Sequence, residues 1–187
     1  MQLNHIKLHR LLYACVLVST LLFTAGCDKD EDNEPDNEQE LITTVTLTFT
    51  PATGSAIIAT AKDLDGTGGT APTIQPVALK ANTDYTLTIR LLDETKTPTD
   101  VISDEVAKEK EAHQFCFVAT GAAPTPAIQD KDANSKPVGL TSTLKTGAAG
   151  SGTLKVTLKH ELNKSAADPC STGETDVEQT YPVTIAN

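Results

Sequence analysis

Residues 41–187 of this chain predict an all-β fold, an immunoglobulin-like antiparallel β-sandwich of seven to eight strands with one short connecting helix. Three observations predict it. Apolar residues alternate with Thr in short segments, clusters of Gly, Pro, Asn and Asp separate those segments, and a single stretch carries a helical pattern. In the first strand Val45, Leu47 and Phe49 alternate with Thr44, Thr46, Thr48 and Thr50, which gives one buried and one wet face. Pro51-Ala52-Thr53-Gly54 turns the chain, and residues 56–61 and 73–79 are shorter strand candidates flanking the loop Asp65-Gly66-Thr67-Gly68-Gly69. After the turn at Ala81-Asn82-Thr83-Asp84 the alternation returns in Tyr85, Leu87, Ile89 and Leu91. Thr97-Pro98-Thr99-Asp100 then offers a cap hydroxyl, a proline at the first helical position and an acid three residues on. A helix is predicted from there to about residue 112, with Ile102 and Val106 inward, crossing between two strands. Residues 114–120 and 139–144 are further candidates, and the alternation closes with Leu154-Val156-Leu158 and Tyr181-Val183-Ile185.

The N-terminus has a different character. Lys7 and Arg10 precede an apolar run over residues 11–24, too short to span about 30 Å of hydrocarbon as a helix but fitting the core of a secretory leader. Thr24-Ala25-Gly26-Cys27 resembles a lipobox, with Thr24 where Leu is usual, so residues 1–26 are read as the leader and Cys27 as the acylated first residue of the mature protein. Residues 28–40 hold eight acids, one Lys and no apolar side chain, an acidic tether with a reach of up to roughly 40 Å. Within it Lys29-Asp30-Glu31 resembles the export signal of Bacteroidota-type surface lipoproteins. The expected location is the outer membrane facing the exterior, with its periplasmic face as the alternative. Several acyl chains, at about 0.8 kcal/mol per buried CH₂, anchor durably where one is marginal.

Loss of Lys7 and Arg10 with the leader leaves 13 basic against 25 acidic side chains, a net charge of about −12. Such a chain is repelled by nucleic acid, which is excluded as a partner. Beyond Cys27 the aromatic residues are Phe49, Tyr85, Phe115, Phe117 and Tyr181, so few that a core consumes them and no stacking platform is expected.

Candidate chemistry is sparse. Cys116 and Cys170 are the two cysteines of the body, and an oxidising compartment favours their pairing over a buried thiol and an incidental loop residue. Asp63 with Asp65, and Asp130 with Asp132, place carboxylates two residues apart in loops, a spacing that serves Ca²⁺ or simply a turn. His113 and His160, with Glu109 one helical turn before His113, are an alternative transition-metal set. No GxSxG elbow, Walker loop or dinucleotide fingerprint occurs. The expectation is a non-enzymatic binding or structural module, contacting an envelope protein or extracellular ligand. Capture of a metal or small ligand is the second reading.

Leu64-Asp65-Gly66, the segment over 84–95, Glu111-Ala112-His113-Gln114-Phe115, Lys136-Pro137-Val138-Gly139-Leu140, Leu158-Lys159-His160-Glu161 and the segment over 173–178 together resemble an uncharacterised Bacteroidota-type surface lipoprotein family. The resemblance spans most of residues 41–187 and departs at Leu162, where a proline is expected, and at the two body cysteines. It implies an envelope location and a shared domain, and carries no activity. The family is sometimes catalogued in the type 1 periplasmic-binding-fold superfamily, which implies a parallel α/β fold; the alternation predicts the sandwich instead.

Overall fold

The structure is a computed structural model and describes residues 41–66 and 69–187. The expected leader, Cys27 and the expected acidic tether lie outside the described residues. β1 (Thr44–Pro51) forms where the alternation is strictest, and buries Val45, Leu47 and Phe49. It pairs antiparallel with β2 (Ile57–Lys62) on one side and with β5 (Asp84–Leu92) on the other. In β5 the burial alternates residue by residue, Tyr85, Leu87, Ile89 and Leu91 inward and their neighbours out, as a sheet with one wet face requires. β8 (Thr141–Lys145) follows β5, and two short strands, β3 (Thr73–Ile74) and β7 (Ala127–Ile128), complete a sheet of order β3-β2-β1-β5-β8-β7.

The second sheet has the order β4-β10-β9-β6, from β4 (Val77–Lys80), β10 (Glu174–Ala186), β9 (Gly150–His160) and β6 (His113–Gly121). Its pairs are antiparallel except β4 with β10, which is parallel. Phe49, Leu87 and Leu91 of one sheet share a core with Phe115, Leu158 and Tyr181 of the other. Each such side chain, fully withdrawn from water, stabilises the fold by about 1.5–3 kcal/mol. The Tyr181 hydroxyl crosses this core and donates to the Val45 carbonyl at 2.8 Å, so the polar tip of a fully buried ring is satisfied by the facing sheet. An all-β sandwich is therefore the architecture.

Ten strands stand among the described residues where seven to eight are predicted. The single strand expected over 73–79 is two, β3 in one sheet and β4 in the other, broken at Gln75-Pro76. Proline supplies no N–H to a ladder, so the chain leaves the first sheet there and enters the second. The strand expected at 139–144 starts at Thr141, because Gly139 has φ +101° and the Asp130 carboxylate takes the N–H groups of Gly139, Leu140 and Thr141.

The helix is shorter than its sequence signature. α1 (Ile102–Lys108) buries Ile102 and Val106, as its pattern predicts, but Thr97 and Pro98 do not begin it. Asp93 and Asp100 exchange both backbone hydrogen bonds at 3.1 Å, which closes residues 93–100 into a loop and leaves Val101 as the residue before the helix. At the other end the N–H of Glu109 and that of Ala112 form turns that deliver the chain into β6.

Candidate metal centre

β6 and β9 pair in a register that sets His113 opposite His160, Phe115 opposite Leu158 and Phe117 opposite Val156. These pairs share the inner face, so the two histidines continue the core row to the end of the sheet. Their rings stack with centroids 4.5 Å apart and planes within 3°.

A third side chain arrives from β10. Thr175 pairs with Lys159 and Val177 with Leu158, so Asp176 is the extra residue of a β-bulge. A bulge turns its side chain away from the regular alternation, and here the carboxylate comes to face both rings. Asp176 Oδ2 lies 3.7 Å from His113 Nε2, and Oδ1 lies 4.0 Å from His160 Nδ1. One ligand atom from each residue falls within 4.8 Å of the others. Side-chain exposure is 4 % for His113, 8 % for Asp176 and 20 % for His160, so the cluster is reached from solvent across His160. Gly173 makes this approach of β10 possible: its φ is +69°, and a Cβ there would stand 2.3 Å from the His160 carbonyl oxygen.

The ring of His113 is oriented from behind, its Nδ1 lying 3.0 Å from the Glu109 carbonyl oxygen. Donation of Nδ1–H to that carbonyl leaves the lone pair of the neutral ring on Nε2, the atom that faces Asp176. Burial pushes the Asp176 carboxyl above its ordinary range, and the proximity of His160 and His113 works in the opposite direction.

The carboxylate of the histidine cluster is thus Asp176, a correction to the expected Glu109. α1 ends before Glu109, whose side chain is exposed while its backbone carbonyl holds the ring. Asp176 carries no local signal, being far along the chain from His113 and brought in by strand pairing.

The paired acids serve the loops. Asp130 accepts the backbone N–H groups of Gly139, Leu140 and Thr141 at 3.0–3.1 Å. Asp132 accepts those of Asn134 and Lys136 at 2.9 and 2.8 Å and the Lys164 ammonium at 3.1 Å. Burial alone would raise the Asp132 carboxyl, but the Lys136 N–H, Lys164 and the Asn134 N–H outweigh it and hold the group below its ordinary value. With these donors in place the two carboxylates do not converge on a common cation. Asp65 is held by the Thr70 N–H at 2.8 Å, while burial and a hydrogen bond to Asp65 raise Asp63. Two carboxyls fall well short of the six to eight oxygens Ca²⁺ takes.

Cys116 and Cys170 are joined in a disulfide across 54 residues. It ties the outer face of β6 to the 3₁₀ turn Pro169–Ser171, in the segment that leads into β10 and Asp176. Gln114 and Cys116, on that outer face, are buried beneath this segment.

Among the described residues no helix is long and apolar enough to cross a membrane. No family model, curated protein or solved structure matches the chain.

Proposed function

We propose that the protein is a lipid-anchored envelope lipoprotein, carried through Cys27 on the outer face of the outer membrane, whose sandwich acts as a binding module. The order of segments carries this reading: a short apolar run, the small residues Ala25 and Gly26, Cys27, an acid-rich stretch to residue 40, then a sandwich whose first strand starts at Thr44. That order suits a folded domain held off a membrane by a charged tether. The disulfide supports export, since such bonds persist in oxidising compartments. Binding is favoured because, among the described residues, three strands bring together a cluster built of metal-ligand types.

Mass spectrometry of the N-terminal peptide from protein made in a bacterial host tests the address. An acylated Cys27 is expected, and Cys27→Ser should yield an unacylated chain released from membranes. A mature chain that starts elsewhere, or carries residue 27 unmodified, overturns the proposal. Protease treatment of intact cells then separates the exterior from the periplasmic face.

A further inference from the structure

We propose that His113, His160 and Asp176 bind one divalent transition-metal ion of the Zn²⁺ class. This names a ligand for the binding-module reading and does not depend on the lipid anchor.

The inference rests first on donor chemistry. Two imidazoles and a carboxylate form a set that suits Zn²⁺, Cu²⁺ or Ni²⁺, and one carboxylate among nitrogen ligands does not suit Ca²⁺ or Mg²⁺. It rests next on what the three groups lack. The Asp176 oxygens stand 3.7 and 4.0 Å from the ring nitrogens, beyond the roughly 2.7–2.9 Å of a charge-assisted hydrogen bond. With Nδ1–H of His113 directed to the Glu109 carbonyl, a lone pair on Nε2 faces a carboxylate oxygen in a site largely shielded from water. Two acceptors so placed repel one another, and a cation between them turns that repulsion into attraction.

The spacing fits such an ion. Bonds of about 2.0–2.1 Å in a tetrahedron put ligand atoms about 3.3 Å apart. Here the ligand atoms lie within 4.8 Å of one another, so modest inward rotation of the side chains completes the contacts. Three protein ligands leave a fourth position for water or a further ligand. The support behind the site has the form metal-binding histidines use, a ring nitrogen donating to a backbone carbonyl. A protonated histidine in a plain ion pair with Asp176 is the competing account, and it calls for no metal.

The test uses full-chain protein stripped of metal with a chelator. Zn²⁺ is titrated by calorimetry, Co²⁺ is added as a spectroscopic probe, and the ring nitrogens are followed by NMR. One Zn²⁺ per chain is expected, with tetrahedral Co²⁺ absorption and shifts at His113 Nε2 and His160 Nδ1. Asp176→Asn and His160→Gln should each weaken Zn²⁺ at least roughly tenfold, since loss of a supporting contact alone costs that much. Asp63→Asn/Asp65→Asn should leave affinity unchanged. Substoichiometric Zn²⁺, unchanged ring resonances, or equal affinity in wild type and Asp176→Asn would overturn the metal site. The NMR readout needs no substitution, so a variant that fails to fold leaves the test decisive.

Discussion

Lys164 is a cation with 5 % side-chain exposure, and its ammonium donates to Asp132 Oδ2 and to the carbonyls of Lys110 and Pro137. All three ammonium protons are therefore used, which makes burial of the charge tolerable. Lys164→Met is expected to destabilise the fold by about 3 kcal/mol, read from urea unfolding, because Asp132 is then left without its counter-charge. Lys164→Met/Asp132→Asn should recover part of the loss; a double variant no better than the single one would show that the ion pair is not the cause. Asp132 and Asp176 also set opposite pH dependences. Asp132 is depressed in the fold, so its contribution is present above the ordinary carboxyl value and fades as pH falls through the lower folded value. Asp176 is raised, so its contribution is present below the ordinary value and is lost as pH rises through the raised one. In chelator at neutral pH, Asp176→Asn should therefore melt higher than wild type, whereas Zn²⁺ should raise wild type by more than it raises the variant. Thermal melts across acid pH with and without Zn²⁺ check both signs.

At the scale of elements, β6, β9 and β10 carry the site, and the disulfide ties β6 to the segment that leads into β10. Cys116 on β6 holds Cys170, six residues before Asp176, so the cross-link constrains the segment that feeds the bulge. Reduction, or Cys116→Ser/Cys170→Ser, is expected to cost up to about 4 kcal/mol on chain-entropy grounds, read as a lower denaturation midpoint. An unchanged midpoint would mean that the loop is held by other contacts. Pro76 acts at the same scale: an apolar-polar stretch reads as one strand until the missing N–H is placed in a ladder, and then it becomes two strands in two sheets. The helix shows the converse. Its inward residues Ile102 and Val106 were legible from their spacing, whereas its start depended on the Asp93 to Asp100 pairing, which competes with the cap signal at Thr97.

For the whole molecule, two sheets meet over one apolar core, and the Tyr181 hydroxyl joined to the Val45 carbonyl is a polar link between them. Tyr181→Phe keeps the ring and removes that link, so a loss of about 1 kcal/mol is expected in equilibrium unfolding. A loss near zero would assign the stabilising role of Tyr181 entirely to its ring. The sandwich was readable because period-two faces persist across β1, β5, β9 and β10, and a sheet with one apolar face must cover it with another. The histidine cluster was half readable: His113 and His160 stood out by their rarity, but Glu109, nearer to His113 in the chain, contributes its backbone carbonyl, and the carboxylate comes from Asp176.

Alternating faces, turn residues, the leader pattern and the pool of cysteines and histidines are properties of neighbouring residues, and for that reason they can be read along the chain without coordinates. Strand register, the bulge at Asp176, the change of sheet at Pro76 and the donors that occupy Asp130 and Asp132 arise from pairings between distant segments. A shift of one residue in such a pairing sends every side chain to the opposite face, so the convergence of two rings and a carboxylate is a consequence of packing that no local pattern encodes.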